Sequence, residues 1–129
     1  MKKLLAISLM GMFLLTACDK KNPAVEPSLT GKWNVETVVT KEYENAVLIN
    51  TNTEPGNGYK YDFQTTGSLV ISSLITATTM PYSIIANSKV QIDGDIFEVR
   101  NLTASEVTLF IRQDYAPGEY DELFINLKR

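Results

Sequence analysis

Apolar and polar residues alternate along most of the chain after Leu29, with the period of two that is typical of half-buried β-strands. Trp33, Val35 and Val39 show the pattern first, with Asn34 and Glu36 between them. Seven later segments repeat it, at residues 59–63, 69–75, 82–86, 90–92, 97–99, 107–111 and 120–127. The pattern therefore predicts eight short strands and no long helix.

The connections between these segments are mostly short turns. Thr65–Ser68 and Ala116–Gly118 carry turn residues, and Asp93-Gly94 is a strong signal for a two-residue hairpin. Short turns join neighbouring antiparallel strands, and eight such strands are enough to close a small barrel. We predict an all-β fold, an eight-stranded up-and-down antiparallel β-barrel. A two-layer sandwich fits the same pattern.

The first residues have the composition of an export signal. Lys2 and Lys3 precede an uncharged apolar run that is too short for the roughly 20 residues of a membrane-spanning helix. The run ends in Leu15-Thr16-Ala17-Cys18, which resembles a bacterial lipobox. The resemblance implies a lipoprotein signal peptide over residues 1–17 and attachment of acyl chains such as palmitate to Cys18. The alternative is a secretory signal that is cut without lipidation.

Residues 18–28 follow as the lipidated cysteine and a flexible tether, since they contain two prolines, several charges and little to bury. Residues 29–129 then form one domain. The formal net charge is −3, which argues against nucleic acid as a partner. We expect a monomer anchored to the outer membrane through Cys18, with the periplasmic side favoured and surface exposure left open.

Several short motifs in this domain resemble one protein family. Leu29-Thr30-Gly31-Lys32-Trp33 looks like the opening of a lipocalin. Tyr61-Asp62-Phe63 and Asn101-Leu102-Thr103 are similar to small lipocalin-like lipoproteins of Bacteroidetes. The resemblance implies structural roles for Gly31, for Trp33 at the base of the barrel, and for Arg129 stacked on Trp33. The chain departs from that family because it ends with its last strand, without the usual C-terminal helix.

The residue inventory limits catalysis. There is no histidine, and the only cysteine is Cys18, so the usual general base, thiolate nucleophile and zinc ligands are missing. The carboxylates fall on outward strand positions or in turns, which is typical of solvated surface charge. We therefore expect no enzyme activity, no cofactor and no metal.

The residues at the inward positions of the predicted strands suggest that the barrel binds a ligand. An apolar lining with a few tyrosine hydroxyls suits a small hydrophobic or amphipathic ligand. The predicted ligand-binding residues are Tyr59, Tyr61, Phe63, Ile71, Tyr82, Ile84, Phe97 and Leu109. The same side chains could instead simply fill the barrel.

The longest connection, residues 42–57, separates the first two predicted strands. Lipocalins place a lid there, which would put Val47, Leu48 and Ile49 over the cavity. A strand extension or one helical turn is the alternative. The sequence thus predicts a lipid-anchored envelope protein that binds a small ligand without catalysis. The alternative is a protein-interaction module, an enzyme inhibitor or assembly accessory, with a solid core.

Overall fold

The computed structural model describes residues 27–86 and 88–129, which form nine β-strands and no helix. The predicted signal peptide, Cys18 and most of the predicted tether lie outside the described residues. No helix in the described part of the chain is long and apolar enough to cross a membrane. The strands are β1 (Gly31–Glu44), β2 (Val47–Pro55), β3 (Lys60–Phe63), β4 (Ser68–Ser72), β5 (Ala77–Ala86), β6 (Lys89–Ile92), β7 (Asp95–Arg100), β8 (Glu106–Ala116) and β9 (Glu119–Lys128).

Eight of these strands close into an antiparallel barrel. From β3 to β9 each strand pairs with the next, and β1 joins the two ends of this series. Its residues Gly31–Asn34 pair with β3, and Asn34–Tyr43 pair with β9 on the opposite edge. The prediction of an eight-stranded up-and-down barrel is therefore confirmed, and the sandwich alternative is wrong. The predicted strand count is one short, because β2 lies within the predicted connection at residues 42–57.

Large side chains fill the interior of the barrel. Seven are less than 2% exposed, and they come from β1, β3, β4, β6, β8 and β9: Trp33, Phe63, Leu69, Val90, Val107, Leu109 and Leu127. Each such side chain contributes about 1.5–3 kcal/mol relative to an exposed position. Since no disulfide is available to the described residues, this packing and the strand ladders hold the fold.

Tight turns set the registers of several strands. Asp93 and Gly94 both have positive φ, 49° and 95°, as the predicted hairpin turn requires. Asn45 and Ala46 also have positive φ, 51° and 60°, and connect β1 to β2 in the same way. The predicted turn at Asp93-Gly94 is confirmed, whereas the one at Asn45-Ala46 was not foreseen.

Four strands continue past the closed part of the barrel, and we call this part the extension. It consists of residues 40–44 of β1, the whole of β2, residues 111–116 of β8 and residues 119–123 of β9. Here β8 pairs with β9 alone, because its pairing with β7 covers only Thr108–Phe110. The two hairpin tips meet, since the Ala46 amide donates to the Gly118 carbonyl at 2.9 Å.

Candidate functional site

The base of the barrel is closed by the Trp33–Arg129 pair that the resemblance implied. The Arg129 guanidinium carbon lies 4.0 Å from the centroid of the Trp33 ring. Trp33 is buried, and its Nε1 donates to the Leu29 carbonyl at 2.7 Å. Arg129 also donates to the carbonyl oxygens of Ala104, Thr30 and Ser28 at 2.8, 3.0 and 3.1 Å. This cluster ties both ends of the domain together, so its role is structural.

Gly31 lies beside that cluster. Its φ is +116°, a conformation that side-chain-bearing residues rarely adopt. A Cβ at Gly31 would also lie 3.1 Å from a terminal nitrogen of Arg129. Glycine therefore allows β1 to begin directly beneath the guanidinium, which is consistent with the structural role expected for Gly31.

The predicted ligand-binding residues are spread over three environments. Phe63 and Leu109 are fully buried in the core, and half-buried Tyr82 and Phe97 pack against it. The Tyr82 hydroxyl is occupied, since it donates to the Gln64 carbonyl at 2.6 Å. These four side chains help to fill the barrel.

Ile84 was expected in the barrel interior, and this was wrong. It is 55% exposed and lines a groove of about 410 Å³ at the base of the barrel. Pro27–Thr30 form one wall of that groove, directly after the part of the chain that the structure does not describe. The position follows from the place of Ile84 near the end of β5, where the strand passes out of the packed interior.

Tyr59, Tyr61 and Ile71 lie together in a groove at the other end of the barrel. Its volume is about 230 Å³, and it opens to solvent beneath β2. The remaining walls are Val35, Val38, Glu54, Pro55, Gly56 and Asn57. Tyr59 is 44% exposed, so it is a rim residue rather than an interior one. The groove is smaller than the roughly 300–1,000 Å³ of typical small-molecule sites.

Burial changes the electrostatics of this groove. It raises the pKa of the Tyr61 hydroxyl above its ordinary value, and the neighbouring Tyr59 adds to that shift. Glu54 supplies the only formal charge on the groove walls. The groove therefore presents the hydroxyls of two tyrosines and one carboxylate beside an apolar floor.

Residues 42–57 do not form the predicted lid. They complete β1 and form β2, so the alternative of a strand extension is the correct one. Val47, Leu48 and Ile49 lie at the start of β2, 62%, 46% and 52% exposed, and cover no cavity. The reason is local: a two-residue turn at Asn45-Ala46 returns the chain alongside β1.

β2 is the most accessible strand of the extension. All nine of its residues are exposed, and the strand pairs with β1 alone. β1 pairs with β9 on one edge and with both β2 and β3 on the other. Among residues 27–86 and 88–129, nothing pairs with the second edge of β2. An unpaired edge presents a row of backbone donors and acceptors that another strand can use.

Cationic side chains of this protein cover the aromatic rings on the outward face of β1, β8 and β9. Tyr43 and Tyr120 stack with ring centroids 4.5 Å apart, and Phe110 and Phe124 lie 5.0 Å apart. Three cations lie over these rings: Arg100 over Phe110 at 3.5 Å, Arg112 over Tyr120 at 3.6 Å and Lys41 over Phe124 at 5.0 Å. This face consequently offers little uncovered aromatic surface to a partner.

Carboxylates on the extension make hydrogen bonds that explain their positions. The Tyr115 hydroxyl donates to Asp121 Oδ2 at 2.9 Å, and this bond is the main cause of the raised pKa of Tyr115. Burial and a hydrogen bond to Glu122 similarly raise the pKa of Tyr43. Among the described residues, no three His, Cys, Asp or Glu side chains cluster closely enough to hold a metal ion.

Comparisons of the chain with family models, with curated proteins and with solved structures give no match. The candidate site therefore rests on the geometry alone. That geometry favours the exposed β2 edge, with the groove beneath it as a smaller feature.

Sequence reasoning missed the β2 edge for a physical reason. Val47, Ile49 and Thr51 are β-branched residues that favour strands, and this signal was present. The turn before them was not recognisable, because Asn45-Ala46 lacks the glycine that usually marks a two-residue hairpin.

Proposed function

We propose that this protein is a lipid-anchored, non-catalytic interaction module of the cell envelope that binds a protein partner through its extension. The observation that carries the proposal is β2, a fully exposed nine-residue strand with an unpaired edge. The filled barrel supports it, because tightly packed core side chains leave the surface to do the binding. The lipobox resemblance at Cys18 supports the lipid anchor and a location in the cell envelope.

A second function, the binding of a small molecule, has separate support. Tyr59, Tyr61 and Ile71, which the sequence suggested as ligand residues, share the groove beneath β2. A small amphipathic molecule could lie on this apolar floor with its polar end at the tyrosine hydroxyls. The groove holds only about 230 Å³, so we place this function second.

Photo-crosslinking in living cells tests both roles. A benzophenone amino acid replaces Asn52 on the exposed β2 strand, Tyr59 on the groove rim, or Thr79 on exposed β5 as the matched control. We expect a protein adduct from Asn52 in the membrane fraction and none from Thr79. A Cys18→Ala chain run in parallel should leave the membrane fraction.

The adduct masses separate the outcomes. A small-molecule adduct at Tyr59, without any protein adduct at Asn52, would favour the groove over the extension. Equal protein adducts at Asn52 and Thr79 would contradict a dedicated surface on the extension. No adduct at Asn52 or Tyr59 would overturn both roles.

A further inference from the structure

We infer that the unpaired edge of β2 pairs antiparallel with β2 of a second copy of this chain, forming a twofold-symmetric dimer. The inference rests on the proposed function and specifies the partner at the β2 edge. It differs from the monomer that the sequence suggested. Pairing of this kind joins two sheets into one and removes the open edge from both copies.

The β2 edge lacks the features that normally prevent such pairing. Proteins protect edge strands with lysines, internal prolines, inward charges or a covering loop. The strand reads Val-Leu-Ile-Asn-Thr-Asn-Thr-Glu-Pro, with no basic residue, one carboxylate at Glu54 and its proline only at the last position. The run from Val47 to Thr53 is uncharged, and four of its residues, Val47, Ile49, Thr51 and Thr53, are β-branched and favour strands.

Two exposed apolar patches lie at opposite ends of this edge. One is the start of β2, Val47–Ile49. The other is the turn between β4 and β5, where Leu74 and Ile75 are each 92% exposed. This turn lies next to the connection that follows β2, because a Cβ added at Gly58 would be 3.9 Å from Leu74 Cγ. The turn is also on the open side of β2, since β4 pairs with the edge of β3 that faces away from β1.

Only antiparallel pairing with a second copy brings the two kinds of patch into contact at both ends of the interface. β2 runs from its apolar start towards the turn, so an antiparallel β2 begins beside the turn of its neighbour. Val47–Ile49 of each copy would then approach Leu74 and Ile75 of the other. Apolar surface that is costly to expose in one copy would be covered in the pair.

The side chains allow a symmetric register. Pairing centred on Thr51 sets Asn50 of one copy opposite Asn52 of the other, and Thr51 opposite Thr51. Glu54 then falls opposite Leu48, so no two carboxylates face each other. The pairing uses one edge on each copy, and the assembly closes at two.

Disulfide formation at the proposed axis tests this register directly. Paired residues in antiparallel strands have Cα atoms about 4.5–5.5 Å apart, within the range that a disulfide spans. We expect the full chain with Thr51→Cys to form a covalent dimer in membranes, and the Thr79→Cys control to remain monomeric. The wild-type chain, which has only Cys18, measures any background from that residue.

A charge substitution at the proposed axis is a second test of the dimer. Thr51→Lys would place two ammonium groups against each other at the axis, whereas Thr79→Lys changes the charge equally on β5. We expect sedimentation of the purified full chain in detergent to show a dimer for the wild type and Thr79→Lys. Thr51→Lys should weaken dimerisation at least tenfold. Because Thr51 pairs with Lys41 of the same chain, the new ammonium should also lower the thermal unfolding midpoint of the monomer slightly.

The outcomes distinguish this inference from the proposed function. A disulfide at Thr51→Cys with a different protein, without a self-dimer, would overturn the second copy and keep the interaction module. Monomeric wild type with no crosslinked product of any kind would contradict both. Larger open-ended oligomers would contradict the closed twofold pair.

Discussion

At the scale of single residues, the contact between Trp33 and Arg129 has the largest structural consequence. The Arg129 guanidinium covers the indole ring and donates to three backbone carbonyls from two segments of the chain. The contact was implied by the resemblance of Gly31-Lys32-Trp33 to a family in which a basic side chain of the last strand lies over the tryptophan. The carbonyl acceptors were not foreseeable, because they depend on where the 104–105 turn meets the start of β1.

Replacing Arg129 tests how much this cluster stabilises the fold. Arg129→Ala removes a cation–π contact and three charge-assisted hydrogen bonds, and we expect a loss of about 1–3 kcal/mol in unfolding free energy. Lys128→Ala is the matched control, since Lys128 makes only exposed ion pairs with Glu36 and Glu106. Urea unfolding followed by circular dichroism measures both losses. Equal losses from the two substitutions would contradict a special role for Arg129.

At the scale of elements, the hairpin of β1 and β2 separates what the sequence could and could not predict. Strands such as β3, β4 and β8 were predicted because alternation and turn residues agree there. β2 was not, because its apolar residues Val47–Ile49 are consecutive rather than alternating, and the Asn45-Ala46 turn before it has no glycine. The groove itself was not predicted: alternation grouped Tyr59 with Tyr61 but placed both in the barrel interior, and the Glu54 and Pro55 wall comes from the missed strand.

The turn of this hairpin carries avoidable strain. Ala46 has a φ of 60°, a left-handed conformation that costs a side-chain-bearing residue about 1–2 kcal/mol. We expect Ala46→Gly to raise the unfolding free energy by about 0.5–1 kcal/mol, since glycine adopts this conformation freely. Ala77→Gly, in β5, should lower it instead. Thermal unfolding measures both, and a loss of stability in Ala46→Gly would contradict the assigned turn.

At the scale of the whole molecule, the barrel and the extension differ in what holds them. The barrel has strands paired on both edges around a packed core, and β1 joins β9 across almost the full length of the domain. The extension has paired strands but few buried side chains, and both β2 and the end of β8 have an open edge. Local unfolding therefore needs much less free energy in the extension than in the barrel.

Hydrogen exchange measured by mass spectrometry should show this division and its dependence on dimerisation. In the monomeric Thr51→Lys chain, we expect fast exchange in β2 and in residues 112–116, and slow exchange in β3, β4 and residues 107–110. In the wild type, β2 alone should become slower to exchange as concentration rises, because its free amides would gain strand partners. Thr79→Lys should behave as the wild type does. Slow exchange in β2 of the Thr51→Lys monomer would contradict the separation of barrel and extension, and a concentration-independent β2 in the wild type would contradict pairing between copies.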